Sequence, residues 1–236
     1  MIIDFHSHIL PRVDHGSKNS EEAEKQLGLI RQAGTDAVVA TSHFYPHVHK
    51  VEDFLSAVDG AAARMSGFAA SYDDLKVYLG AEVLLCEMME NMEGLDRLCI
   101  RGTRCLLLEM PSASAWSRTL MSTVESIMDE GYTVVLAHID RYVKRFEEGI
   151  DTLLSMGALA QINADSLVSF FDRKKLRPYI ESGRVCALGS DLHGSDPRSY
   201  KPFAELKKHI GVEHFEGIMK SSQKLLEGAK TLGELF

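Results

Sequence analysis

The sequence predicts one α/β domain built from parallel βαβ units. Three observations predict it. Seven short runs rich in β-branched and aliphatic residues punctuate the 236 residues, helical periodicity fills most gaps between them, and no repeat, low-complexity tract or Pro/Ser-rich linker divides the chain. The length suits one α/β barrel, and a hydrophobic share of 45% is enough for a sizeable core. Seven such strands fit either an open doubly wound sheet or a barrel. The dinucleotide-binding turn G-x-G-x-x-G is missing after the first run, which removes the main support for the open sheet.

The runs are Ile2–Phe5, Ala37–Thr41, Lys76–Ala81, Arg104–Leu108, Thr133–Ala137, Ala158–Ile162 and Val185–Leu188. Ser20, followed by Glu21 and Glu22, reads as a helix start with acidic residues in its first turn, and Gly34 is placed to end that helix. Further helices are expected over Val51–Met65, Ala115–Glu130 (ending at Gly131), Val143–Met156 (ending at Gly157) and Asp172–Ser182 (ending at Gly183). From Lys201 onward the pattern is helical only, closing with Ser222–Ala229.

Composition excludes several functions. A net charge of −8 argues against a general nucleic-acid binder, which needs cationic surface to displace counterions, and against a polybasic membrane anchor. No apolar run reaches the roughly 18 residues of a membrane helix, so no direct membrane insertion is expected. The N-terminus lacks the basic and apolar regions of a signal peptide, so a cytoplasmic location is expected. Cys86, Cys99, Cys105 and Cys186 form no C-x-x-C pair, and none is followed six residues later by arginine, so a thiolate phosphatase loop is absent. Cys105 and Cys186 lie in apolar runs and read as buried reduced thiols.

The informative feature is what the runs deliver at their C-terminal ends, which in a parallel barrel converge on one mouth. The first delivers His6 and His8, which point the same way from an extended backbone, and then Asp14 in the next loop. The second ends at His43, the third at Glu82, the fourth at Glu109, the fifth at His138, and the seventh at Asp191 and His193. The sixth gives only Gln161 and Asn163. Any one of these histidines alone reads as a satisfied core or cap residue. Six of seven runs ending in a potential ligand does not. Five His, two Asp and two Glu exceed the needs of one ion and imply two or three, bridged by carboxylates. Imidazole and carboxylate without thiolate suit zinc, manganese or iron.

The pattern H-x-H, T-S-H, G-A-E, A-H and S-D-x-H resembles the PHP (polymerase and histidinol phosphatase) superfamily. That resemblance implies a distorted (β/α)7 TIM-like barrel holding up to three metals, with residues 1–236 as a single domain whose helices from about residue 201 pack on the barrel. More narrowly, six segments resemble the manganese-dependent tyrosine phosphatases of bacterial capsule and exopolysaccharide gene clusters, the CpsB/CapC type. They are His6-Ser7-His8-Ile9-Leu10-Pro11, Val13-Asp14-His15-Gly16, Thr41-Ser42-His43, Glu109, His138-Ile139-Asp140-Arg141-Tyr142 and Ser190-Asp191-Leu192-His193. The likeness runs from residue 1 to about residue 200. It departs at His15, where such proteins usually carry a second acidic residue, so His15 competes with Asp14 for the ligand role. It also varies in the loop Phe44-Tyr45-Pro46-His47-Val48-His49, which bears on substrate choice.

The resemblance implies two or three divalent ions, Mn2+ first with Fe or Zn as alternatives. The implied substrate is the phosphotyrosine-bearing tail of a tyrosine kinase that controls polysaccharide synthesis. Metal ions acidify water and neutralise phosphoryl charge, so no protein nucleophile is needed. Charge from the opposite side suits arginine, whose fork binds two oxygens. Arg141 and Arg198 lie in the loops after the fifth and seventh runs. On spacing alone each reads as a surface salt bridge, but the resemblance implies a phosphate clamp. A small-molecule phosphomonoesterase of the histidinol-phosphatase kind is the alternative. A proofreading nuclease and a binding module without catalysis are the more distant rivals.

Other residues receive plainer readings. His47 and His49 lie in a polar loop and read as solvated, as does Arg12. Met88, Met89 and Met92 read as packing for a short helix. Trp116 opens a helix near the mouth, where it either packs or flanks a substrate ring. His209 and His214 fall in the C-terminal helices, away from the mouth.

Overall fold

The computed structural model describes residues 1–112, 115–195 and 197–236, without the side chains of 197–199 and 202. Its centre is a single parallel sheet of seven strands in sequential order. The strands are β1 (Ile3–Ser7), β2 (Ala37–Phe44), β3 (Lys76–Leu84), β4 (Cys105–Glu109), β5 (Thr133–Leu136), β6 (Leu159–Asn163) and β7 (Val185–Gly189). The helices are α1 (Ser20–Gln32), α2 (Val51–Ala69), α3 (Arg118–Asp129), α4 (Glu147–Met156), α5 (Ala164–Val168), α6 (Phe170–Glu181), α7 (Pro197–Ile210), α8 (Val212–Leu225) and α9 (Leu232–Leu235). Almost every strand residue is buried, as expected of a parallel sheet covered on both faces.

The sheet curls into a nearly closed barrel. The chain just beyond β7 meets β1 through an isolated bridge, Ser7 to Leu192, with His8 N–H donating to the Leu192 carbonyl (3.1 Å) and Asp191 N–H to the His6 carbonyl (2.8 Å). Helix α8 covers this seam. Its Ser222 hydroxyl donates to the Cys186 carbonyl (2.8 Å), and its Met219 sulfur faces Ile3 N–H (3.2 Å). Among the described residues no helix is long and apolar enough to cross a membrane.

All seven expected strands form, most of them one to three residues longer at the C-terminal end. That extension carries His6, His43, Glu82 and Glu109 inside strands rather than after them. The helices differ more. The helix expected over Ala115–Glu130 starts at Arg118, because the Ser117 hydroxyl caps the Leu120 amide (3.0 Å). The one expected from Val143 starts at Glu147, because a 3-10 turn over Ile139–Arg141 takes up the preceding chain. The one expected from Asp172 starts at Phe170 behind a Ser169 cap, and the short α5 before it was not anticipated. The C-terminal stretch is α8, ending at Leu225, and then α9.

The cysteine reading holds, with Cys105 and Cys186 buried and unpaired. The methionine reading holds only in part: Met89 is buried in a 3-10 turn, but Met88 is 65% exposed.

Candidate metal centre

Parallel strands bring the predicted residues to one end of the barrel. Glu82, fully buried on β3, is the hub. Its Oε2 lies 3.2 Å from His6 Nε2, 3.3 Å from His8 Nε2 and 2.9 Å from His43 Nδ1. Its Oε1 lies 2.6 Å from His138 Nε2. Asp191 Oδ1 lies 3.3 Å from His8 Nε2 and 3.7 Å from His6 Nε2, while Glu109 stands 3.9 Å from both His43 and His138. Three overlapping triads have ligand atoms within 4.8 Å of one another: His8, His43 and His193; His6, His8 and Glu82; and His43, Glu82 and Glu109.

Asp14 is the exception among the nine. Both of its oxygens are engaged behind the cluster. Oδ2 meets His8 Nδ1 (2.7 Å) and accepts from His43 N–H (3.0 Å), and Oδ1 accepts from Gly16 N–H (2.9 Å). Asp14 therefore orients His8 from its outer nitrogen. The rival His15 is exposed, its ring 4.9 Å from that of His43 and 4.6 Å from that of His193.

The arrangement fits a multinuclear cation site. His138 Nδ1 and His193 Nε2 are buried without a hydrogen-bonding partner among the described residues, and Glu82 Oε2 and His43 Nδ1, 2.9 Å apart, face each other without a well-directed hydrogen bond. Several imidazole and carboxylate lone pairs thus converge where too few protons bind them, and the all-N/O donor set matches hard or borderline divalent ions.

Taken as proton-binding groups, these side chains are strongly coupled. Burial opposes charge on His6 and His8, yet neighbouring carboxylates outweigh it and raise both pKa values. Burial likewise opposes the carboxylates of Glu82, Asp191 and Asp14, but the histidines hold all three below the ordinary range. Glu109 is raised by burial and by Glu82 beside it. His193 is pushed down to about 4 by burial and by His8.

Sequence reasoning passed over the sixth strand, and β6 proves to organise the site. Gln161 Oε1 accepts from His138 N–H (2.7 Å) and lies 3.1 Å from His6 Nδ1. A backbone amide only donates, so it fixes which end of the Gln161 side chain is oxygen, and His6 Nδ1 must then carry the proton. That leaves the His6 Nε2 lone pair facing Glu82 and Asp191. Gln161 Nε2 donates to Asn163 Oδ1 (2.9 Å), and Asn163 Nδ2 donates to Asp191 Oδ2 (2.9 Å). Gly189 lets these strands close up, since a Cβ there would stand 2.5 Å from His6 Cβ and 2.8 Å from Gln161 Nε2.

Two site residues sit in the left-handed region, His138 (φ 32) and Asp191 (φ 51). Non-glycine residues keep such backbones only where surroundings enforce them. Here the Gln161 contact to the His138 amide and the His6 carbonyl on the Asp191 amide do so. Asp140, two residues after His138, is half-buried and accepts from Asn163 N–H (2.9 Å) and the Ser166 hydroxyl (2.7 Å), which anchors the turn carrying Arg141.

Arg141 reaches back over the mouth to pair with Asp191 Oδ2, and half of its side chain remains exposed. Arg198 falls in the first turn of α7, with its side chain outside the described residues. His49 Nδ1 accepts from Tyr45 N–H (3.1 Å), and His47 and His49 join none of the candidate groups among the described residues. Trp116 packs: its ring stacks on Phe146 (4.7 Å) and its indole N–H donates to the Pro111 carbonyl (3.0 Å).

A nearly closed parallel barrel with histidines and carboxylates gathered at its C-terminal mouth has the build of a TIM-like barrel with its site at the strand ends. The chain matches the family model for capsular polysaccharide synthesis, CpsB/CapC, over residues 2–227, and it belongs to that family. The tyrosine-protein phosphatase CpsB of Streptococcus pneumoniae is 29% identical over 213 residues, covering 84% of this chain and 85% of that one. A crystal structure from work on YwqE of Bacillus subtilis and CpsB of S. pneumoniae, described as unique metal-dependent tyrosine phosphatases, superposes with a TM-score of 0.81 at 25% identity. It covers 97% of this chain and 96% of that one. The zinc-complexed histidinol phosphate phosphatase of Lactococcus lactis shares the fold alone, with a TM-score of 0.56 at 14% identity over 89% of this chain and 94% of that one.

Proposed function

We propose that this protein is a metal-dependent phosphatase that hydrolyses phosphotyrosine on a protein. Its substrate is the flexible tail of a tyrosine kinase of capsule or exopolysaccharide synthesis, and residues 1–236 act as one catalytic domain in the cytoplasm. The observation that carries this reading is the convergence of buried imidazoles and carboxylates on Glu82, with the half-exposed Arg141 held beside them by Asp191. Family membership supports it.

On this reading His6, His8, His43, Glu82, Glu109, His138, Asp191 and His193 hold two or three divalent ions, with Mn2+ the first choice and Fe or Zn the alternatives. Asp14 completes the set by fixing His8. When bound, such ions lower the pKa of water and offset phosphoryl charge. Arg141 has one fork nitrogen on Asp191 and donors left over for phosphate oxygens, the pairing its planar geometry favours. Arg198, at the start of the helix after β7, is the second half of the clamp. A phenolate leaving group, with a solution pKa of about 10, makes little demand for protonation from the chain.

The test is hydrolysis of a phosphotyrosyl peptide by Arg141→Ala and Arg198→Ala. Each should lose roughly 10²-fold or more in kcat/KM. Undiminished hydrolysis by Arg198→Ala counts against the clamp.

A further inference from the structure

A cavity of about 480 Å³ lies between α6 and the α7–α8 junction and shares no residue with the barrel mouth. Its volume is in the range that holds small ligands. One wall is the Phe170 ring, 66% exposed, with Phe171 (79% exposed) beside it on the outer surface. The rest is largely cationic or imidazole: Arg173, Lys174, Arg177, His209 and His214. This concentration stands out in a chain of net charge −8.

The basic groups differ in how far they are committed. The Arg173 guanidinium is a fixture, donating to the carbonyls of Leu167 (2.7 Å) and Val168 (3.1 Å) and to His209 Nδ1 (3.2 Å). Arg177 is tethered to Glu181 at 2.6 Å, the one carboxylate of the lining set against its three cations. Lys174 has no ion pair among the described residues, and His209 Nε2 is buried 3.9 Å from Glu205 Oε2, with no hydrogen-bonding partner among the described residues. An aromatic wall beside a lining with three cations and one carboxylate suits an anion carried on a flat apolar group.

We propose that this cavity docks a second phosphotyrosine of the substrate, held without being cleaved while another occupies the mouth. The proposal rests on the phosphatase reading. Charge complementarity favours a phosphorylated segment, and the chain gives a length limit. Phe170 follows Asn163 by seven residues, so its backbone lies within roughly 24 Å of the site strand, a span an extended peptide of about seven residues can bridge. Tethering then raises the effective concentration of the second phosphate.

The experiment compares a peptide carrying two phosphotyrosines about eight residues apart, its singly phosphorylated form and 4-nitrophenyl phosphate. The proteins are the metal-loaded wild type, Lys174→Glu and Arg177→Glu. Binding of a non-hydrolysable bis-phosphonate analogue of the peptide is read in parallel by fluorescence anisotropy. Both variants should raise the KM of the doubly phosphorylated peptide, and the Kd of its analogue, by at least about tenfold. The kinetics of 4-nitrophenyl phosphate should not change. Unchanged KM and Kd for the doubly phosphorylated ligands overturn the proposal. So does a variant effect seen only on binding to anionic phospholipid vesicles, which would make this face a membrane contact. Failure of wild type to hydrolyse any of the esters overturns the phosphatase reading instead, and the anisotropy titration still decides whether the cavity binds phosphate.

Discussion

Gln161 Oε1 lies 3.1 Å from His6 Nδ1 while accepting from the His138 amide at 2.7 Å, so one side chain sets the His6 tautomer and the His138 backbone together. Replacing it with leucine should leave the His138 amide and Asn163 Oδ1 unpaired and let the His6 ring turn. Outer partners of metal-binding histidines typically account for about 10- to 100-fold in metal affinity. Gln161→Leu should therefore weaken Mn2+ binding by that factor in a chelator-competition titration. Gln161→Glu, which keeps the acceptor, should retain more of it. Equal affinity in Gln161→Leu and wild type would mean that the contact does not orient the ligand.

The carboxylate of Asp14 gives a pH-dependent outcome. Burial raises its pKa, but hydrogen bonds from His8, Gly16 and His43 prevail and hold it well below the ordinary carboxylate range. A depressed carboxylate contributes stability that is present above its unfolded pKa and lost as pH falls through the folded one. In metal-stripped protein, Asp14→Asn should lower the melting temperature at pH 7, and the gap should narrow below about pH 4. A gap independent of pH would assign the effect to packing rather than charge.

Gly149 is where α4 meets the single tryptophan. A Cβ there would stand 2.5 Å from Trp116 Cε3, inside any permitted contact. Gly149→Ala should cost about 1–3 kcal/mol in denaturant unfolding, as overpacking does. The native Trp116 emission should shift as the ring leaves Phe146. A variant of full stability with unchanged emission would show that the contact relaxes freely.

These sites mark how far the residues could be read in one dimension. The strands were legible because β-branched runs covered on both faces leave a continuous apolar signal, and the ligands were legible because they end those runs. Gln161 and Asn163 were not, since amides at a strand end look like ordinary polar boundaries until β6 lies against β7 and β5. Asp14 was found by spacing, but its place behind His8 depends on how the loop folds over the mouth. The caps at Ser117 and Ser169 shifted helix starts by two or three residues, because a serine caps or continues a helix according to its neighbours. The exposed pair Phe170–Phe171 carried no periodic signal, and only the helix start shows that they face outward.

Metal dependence is measured by stripping the protein of metal and reloading it with Mn2+, Zn2+, Fe2+ or Mg2+. Phosphate release is then measured from a tyrosine-phosphorylated kinase-tail peptide alongside a panel of small phosphomonoesters. The expected result is no release from the stripped protein and restored release with Mn2+ or a related ion, at a kcat/KM for the peptide well above that for the small esters. Turnover of the peptide by fully stripped protein, or of small esters alone, would rule out metal-dependent hydrolysis of phosphotyrosine on a protein.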